Sequence, residues 1–190
     1  MATAIYSTTA QEGIDVNSVF ILDTKGTPEY PRPPFVPGTL AWGTDGSEWV
    51  FSTASISIAA GQVVQFSAVP GSWSVSLIGG SAAAAPFGSL VGVVGGSLGT
   101  MVVPAPSGTQ VGTYFWTQVA GNAPNVKTLA STTVNAQLYT VAATAGSLFS
   151  TTPGTGSGSQ VTGIVITQAT GSAAGPNTAT LNNPTVSTAT

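Results

Sequence analysis

From Trp49 to Thr190 the chain carries a single charged side chain, Lys127, and every other charge lies between Glu12 and Glu48. This restricts the fold more than any motif does. An open β-sheet ordinarily guards its edges with Lys, inward-pointing charge, proline or bulges, and here the first two are almost missing. At 42% hydrophobic the chain has enough apolar surface to fold, unlike the hydrophobe-poor, highly charged composition of disordered segments. Its polarity comes from Ser, Thr, Asn, Gln and Gly. Such strands need some other means of staying apart from their neighbours.

The periodicity is β. "SWSVSLI" places Trp73, Val75 and Leu77 in strict alternation with serine, the pattern of a half-buried strand. "WGTDGSEW" predicts a hairpin with a two-residue turn at Asp45-Gly46. A phase shift near Thr53-Ala54 suggests a bulge. "SVFILDT", "QVVQF", "SLVGVV", "GTMVVP", "TYFWTQV", "NVKTL", "QLYTV" and "QVTGIVIT" supply further short runs bounded by Gly, Pro, Asn or Ser. The expected class is all-β, a sandwich or barrel of short antiparallel strands. Residues 1–40, with five prolines between Thr24 and Gly38, are expected to form an extended arm, because proline fixes φ and removes a donor. Residues 41–168 form the β-rich module. Residues 169–190, which lack periodicity and charge, are read as an irregular C-terminal tail. "TTPGTGSGSQ" reads as a long hairpin tip, and "SAAAAPF" as no more than a helical turn.

Several functions are disfavoured. Three Lys and Arg and a net charge of -3 leave no basic patch for nucleic acid or for an anionic membrane surface. Pro86 and the glycines of the apolar run Leu77–Val103 argue against a spanning helix. The absence of Cys rules out a disulfide framework, and the N-terminus has no secretory-signal pattern. "GGSLG" (95–99) matches a nucleophile elbow literally, but a triad needs an imidazole and the chain has no His. "DTKGT" has the wrong order for a phosphorylated-aspartate site and reads as a turn. Asp45 and Glu48 flank the proposed turn, where solvated acids are ordinary; a catalytic pair or a Ca²⁺ site there is a minor alternative. No enzyme activity, metal, cofactor or small-molecule substrate is expected.

The remaining constellation is aromatic. "TYFWTQV" puts aromatic rings on both faces of one strand, so one face packs in the core and something must cover the other. A second sheet, a subunit or a sugar could do so. The candidate partner-binding residues are Tyr30, Phe35, Trp42, Trp49, Phe51, Tyr114 and Trp116, with Trp73 assigned to the core.

"PFVPGTLAWGTDGSEWVFSTASISIAAGQVVQF", followed in order by "SLVGVV", "GTYFWTQVAGNA" and "QLYTVAATAGSLF", resembles small structural proteins encoded near the capsid genes of tailed bacteriophages. The resemblance covers about Pro34 to Thr167 and rests on Gly, aromatic and small residues. It implies a capsid decoration (cement) protein or a related virion protein. Such a protein is β-rich, often oligomeric, and seated on the capsid exterior where capsomers meet, after assembly in the host cytoplasm. The implied partners are the major capsid protein and sister copies, with a trimer suggested by the symmetry of shell junctions. The competing expectation is a tail, fibre or head-spike component that binds a receptor or glycan. A surface-layer or adhesin module comes after that.

Overall fold

The computed structural model describes residues 5–6, 15–23, 33–54, 56–79, 88–95, 102–103, 110–141, 143–150, 158–168 and 174–187. Tyr30, most of "GGSLG", the "SAAAAPF" segment and most of "TTPGTGSGSQ" fall outside them. The described residues form fourteen strands and no helix: β1 Ile5–Tyr6, β2 Phe20–Asp23, β3 Leu40–Gly43, β4 Glu48–Ala54, β5 Ile58–Ala59, β6 Val63–Phe66, β7 Ser74–Leu77, β8 Val91–Val94, β9 Val102–Val103, β10 Gln110–Thr128, β11 Leu138–Thr140, β12 Leu148–Phe149, β13 Gln160–Gln168 and β14 Gly175–Val186.

The protein is an all-β barrel. Pairings run from β4 to β7, β6, β8 and β10, and then back to β4, closing a five-stranded ring. The same long strand, β10, pairs with β14, which leads through β13, β11 and β12 back to the C-terminal end of β10 in a second closed circuit. Individual β10 residues are flanked on both edges. Tyr114 faces Thr53 and Phe20, Thr117 faces Val50 and Val94, and Ala120 faces Glu48 and Asn182. Most pairings are antiparallel, as expected, but β1–β3, β4–β7 and β10–β12 are parallel.

Closure explains how strands with so little charge remain separate. A ring has no free edge for another chain to pair with. Where β13 runs past β11, the preceding loop lies along it. The Asn135 N–H donates to Ile166 O at 3.0 Å, and the Gln137 side-chain amide donates to Val161 O at 2.9 Å.

Three cores result. One fills the first ring with Val50, Val64, Phe66, Val75, Val94, Phe115 and Val119 among others. A second, built around Val63, Val93, Val126, Leu138, Leu148, Ile164, Ile166 and Leu181, serves the second circuit. The third is an outer layer of Val16, Ala41, Phe51 and Trp116, onto which Phe20, Phe35, Trp49 and Tyr114 pack. Successive residues of one strand therefore enter different cores: Val50 and Phe51, Val63 and Val64, Val93 and Val94, Phe115 and Trp116. Side chains alternate across a strand, so apolar doublets mark strands covered on both faces.

Several expectations need correction. The 169–190 tail is not irregular over 175–186: those residues form β14, which pairs with β10 and β13 and buries Ala179, Leu181 and Val186. Its Thr, Asn and Pro content hides the alternation. Within the 1–40 arm, the "SVFILDT" run does form a strand, β2, which joins β10, and Phe35 packs on the outer core. "TYFWTQV" and "NVKTL" are one 19-residue strand, not two short ones. The intervening Gly121-Asn122-Ala123-Pro124 reads as a turn but forms an irregular, bulged stretch: Gly121 sits at φ 89°, and the register with β14 shifts between Ala123 and Val126. Just before it, the buried Gln118 side chain donates through Nε2 to Ala120 O and Asn122 O at 3.0 and 2.9 Å. The expected hairpin tip at "TTPGTGSGSQ" lies mostly outside the described residues; the flanking strands β12 and β13 each pair with β11.

Candidate functional site

The predicted hairpin is present, but its loop covers residues 44–47 and is not the two-residue turn expected at Asp45-Gly46. β3 pairs with β4 through Leu40↔Val50, Ala41↔Trp49 and Trp42↔Glu48. Gly46 occupies the left-handed region at φ 80°, which a glycine reaches without steric cost. The loop spans four residues, with Gly46 N–H bonded to Gly43 O at 3.1 Å. Its geometry is fixed by a short relay. The Trp49 indole N–H donates to Ser47 Oγ at 2.9 Å. Ser47 then donates to Asp45 Oδ1 through both its hydroxyl, at 2.6 Å, and its backbone N–H, at 3.0 Å. These two bonds from Ser47 hold the Asp45 carboxyl below its ordinary value of 3.8, against a smaller opposing effect of burial.

Asp45 is thus accounted for by turn geometry. Since its folded-state pKa is depressed, its contribution to stability is complete above the unfolded value and is lost as pH falls through the folded one. Asp15 follows the same sign: a hydrogen bond from the Ser18 hydroxyl lowers it most, burial raises it, and the Asn17 backbone N–H lowers it further. Stability measured by urea titration should therefore be flat above about pH 5 and decline below about pH 4. Asp45→Ala, at a mostly exposed site, should cost about 0.5–1 kcal/mol and flatten part of that decline.

The structure separates the seven aromatic candidates. Phe51 and Trp116 are fully buried, so they are core residues and not contact residues in the folded chain. Their centroids are 5.0 Å apart at a tilted angle. Phe35 closes over both, 5.4 Å from Phe51 and 5.3 Å from Trp116. Tyr114 stacks on Phe51 at 5.9 Å and 11°. The second face of "TYFWTQV" is therefore covered by the chain's own β4 and N-terminal segment. Trp49 is half-buried and tied to Ser47. Tyr30 lies outside the described residues.

Trp42 is the exception. It stands on the outer face of β3, 43% exposed, with Leu40 on the same face at 37% and Val36 in the lead-in at 75%. Between Leu40 and Trp42, Ala41 points inward and is fully buried. Among the described residues, the outer edge of β3 is occupied by β1 alone, in the parallel pairing Ile5↔Trp42 and Tyr6↔Gly43. Sequence reasoning included Trp42 but missed Val36 and Leu40; the signal available was their position on either side of a glycine-bounded strand start.

This apolar strip has no catalytic side chain in it. Glu48, paired with Trp42 across the hairpin, is the nearest ionisable group along the ladder. The strip can exclude water against a partner surface, and little else. No family model, characterised protein or solved structure matches the chain significantly.

Proposed function

We propose that the chain is a virion structural protein of the capsid-decoration type. It binds the assembled shell at capsomer junctions, contacts the major capsid protein and sister copies, and stabilises the shell against internal pressure. A ligand that binds only the assembled state stabilises that state by mass action. What supports the reading is the exposed Val36–Leu40–Trp42 strip on a protein whose last 142 residues hold one charge. Aromatic side chains, Trp above all, are enriched among the anchors of protein interfaces.

Barrel closure changes why a partner is needed. The edges of the strands in the two closed circuits are satisfied within the chain, and the exposed β3 face is where cover by a partner is proposed. That contact is apolar and hydrogen-bonded, with few ion pairs.

Co-sedimentation with assembled, undecorated shells of the phage that encodes the chain tests this directly. Raising salt from about 0.1 M to about 1 M shortens the screening length from about 10 Å to about 3 Å, and binding should change less than about twofold. Trp42→Ser should weaken shell binding at least roughly tenfold while leaving the melting temperature of the free protein unchanged. Absence of binding, or a steep loss with salt, overturns the proposal.

A further inference from the structure

The registers around β10 set four strands side by side. β4 pairs with β10, β10 with β14 and β14 with β13, all antiparallel. Directly opposed residues of an antiparallel pair share a face. Glu48 is opposite Ala120, and Ala120 is opposite Asn182. Further along β14, Thr180 stands between Asn122 and Val165, and Pro176 is opposite Lys127. On β14 the alternate residues Asn177, Ala179 and Leu181 are buried, which turns Pro176, Thr178, Thr180 and Asn182 outward. Glu48 and Lys127 therefore belong to one outward face.

The middle of this face is neutral. Asn122, Thr180 and Asn182 are exposed, and so is Val165, at 44%. Glu48, partly exposed, and Lys127, exposed, are the only charged side chains in these rows. They stand at opposite ends. From the Asn182 row to the Pro176 row is six residues of β14, about 20 Å at about 3.4 Å per residue. That is too far for the two charges to pair within one chain.

A face with opposite charges at its two ends is complementary to itself once one copy is turned end for end. A two-fold axis lying in the face, across β14 between Thr178 and Thr180, does this. It reverses the strand direction, so β14 of one copy runs antiparallel over β14 of the other. Each Glu48 then meets Lys127 of the partner subunit, the mutual exchange of contacts that a two-fold interface requires. Glu48 is on β4 and Lys127 on β10, neighbouring strands about 4.8 Å apart, and the two long side chains bridge that offset. Near the axis, threonine hydroxyls and asparagine amides supply donors and acceptors to one another, so the uncharged middle is matched as well.

We propose that this face is the contact between two copies of the chain, related by a two-fold axis across β14 and keyed by two Glu48–Lys127 pairs. Trp42, one strand beyond Glu48 on β3, is left at the margin. The inference gives the sister-copy contact of the proposed function a location and a symmetry. Its test needs no shell, so loss of either reading is seen separately. From β4 to β13 the face is only about 15 Å across, a small contact, which sets the expected affinity in the micromolar range.

Sedimentation equilibrium of the free chain should show monomer and dimer with Kd on the order of 10 μM. Thr180→Arg, which brings two cations together at the axis, should abolish the dimer. Glu48→Lys and Lys127→Glu should each weaken it roughly tenfold, because each sets like charges opposite one another. The double variant Glu48→Lys/Lys127→Glu restores opposite signs and should return Kd to within about threefold of the parent. That rescue is decisive, since the two positions do not meet within one copy. Thermal melting of every variant should match the parent, because all three positions are at least partly exposed. A monomer at about 500 μM, an assembly other than a dimer, a dimer indifferent to Thr180→Arg, or no rescue in the double variant overturns the proposal.

Discussion

A chain ended at Gln168 should not fold. Removing residues 169–190 deletes β14, which occupies one edge of β10 from Ala120 to Thr128 and one edge of β13 over most of its length. Ala179, Leu181 and Val186 leave the second core, exposing Ile164, Ile166 and Val126 beside them. Two further anchors go with the strand. Asn177 Nδ2 no longer donates to Thr128 Oγ1, now 2.7 Å away in a buried site, and Ser89 O loses the Val186 N–H. Burying a single Leu or Val side chain stabilises by about 1.5–3 kcal/mol, and a domain is stable overall by only about 5–15 kcal/mol. Two such side chains, the smaller Ala179 and two unprotected ladders together remove that margin. Circular dichroism and urea titration of residues 1–168 should show no cooperative transition, while residues 1–187 should unfold like the whole chain. A cooperative 1–168 fragment within about 1 kcal/mol of the full protein would show that β14 is dispensable.

The second large effect lies in the outer core. Phe51→Ala and Trp116→Ala should each cost about 3–5 kcal/mol, as for other buried aromatic truncations. Both rings are fully buried, and they touch each other and Phe35. The double variant should cost less than the sum, by about 0.5–1.5 kcal/mol, because each ring is the other's neighbour. Urea denaturation of the two singles and the double checks both figures. Were these rings contact residues awaiting a partner, truncation would leave the free protein's stability nearly unchanged and weaken only assembly. Trp42→Ser provides the opposite pattern, so the three variants together separate core from contact.

The difference between Trp42 and Trp116 shows where sequence reasoning stops. Both stand in strands next to small or polar residues, and both were candidates for the same role. Local pattern places a side chain on one face or the other of its strand, because successive residues alternate. It does not say what lies opposite that face. Trp116 meets Phe51 and Phe35 from elements more than sixty residues away along the chain, whereas the face bearing Trp42 and Leu40 is left partly open to solvent.

What was legible was local. The all-β class followed from short apolar runs and punctuating glycines, the β3–β4 hairpin from Asp45-Gly46, β7 from its strict alternation, and β2, β6, β8 and β11 from short runs bounded by turn residues. The aromatics of "TYFWTQV", Phe115-Trp116 among them, already signalled a strand covered on both sides. β14 was not legible, since a strand rich in Thr, Asn and Pro is recognisable only beside the strands it pairs with. Nor was the continuity of β10, because Gly121 and Pro124 carry the same chemistry in a bulge as in a turn.

The sequence by itself determined that this chain would form strands with almost no charge to protect them. Only the tertiary structure decided that most strands are protected by closing on themselves around β10, while the β3 face is left partly open. The physical reason is that hydrogen-bond pairing between distant strands depends on backbone geometry, which side-chain composition along one segment does not encode.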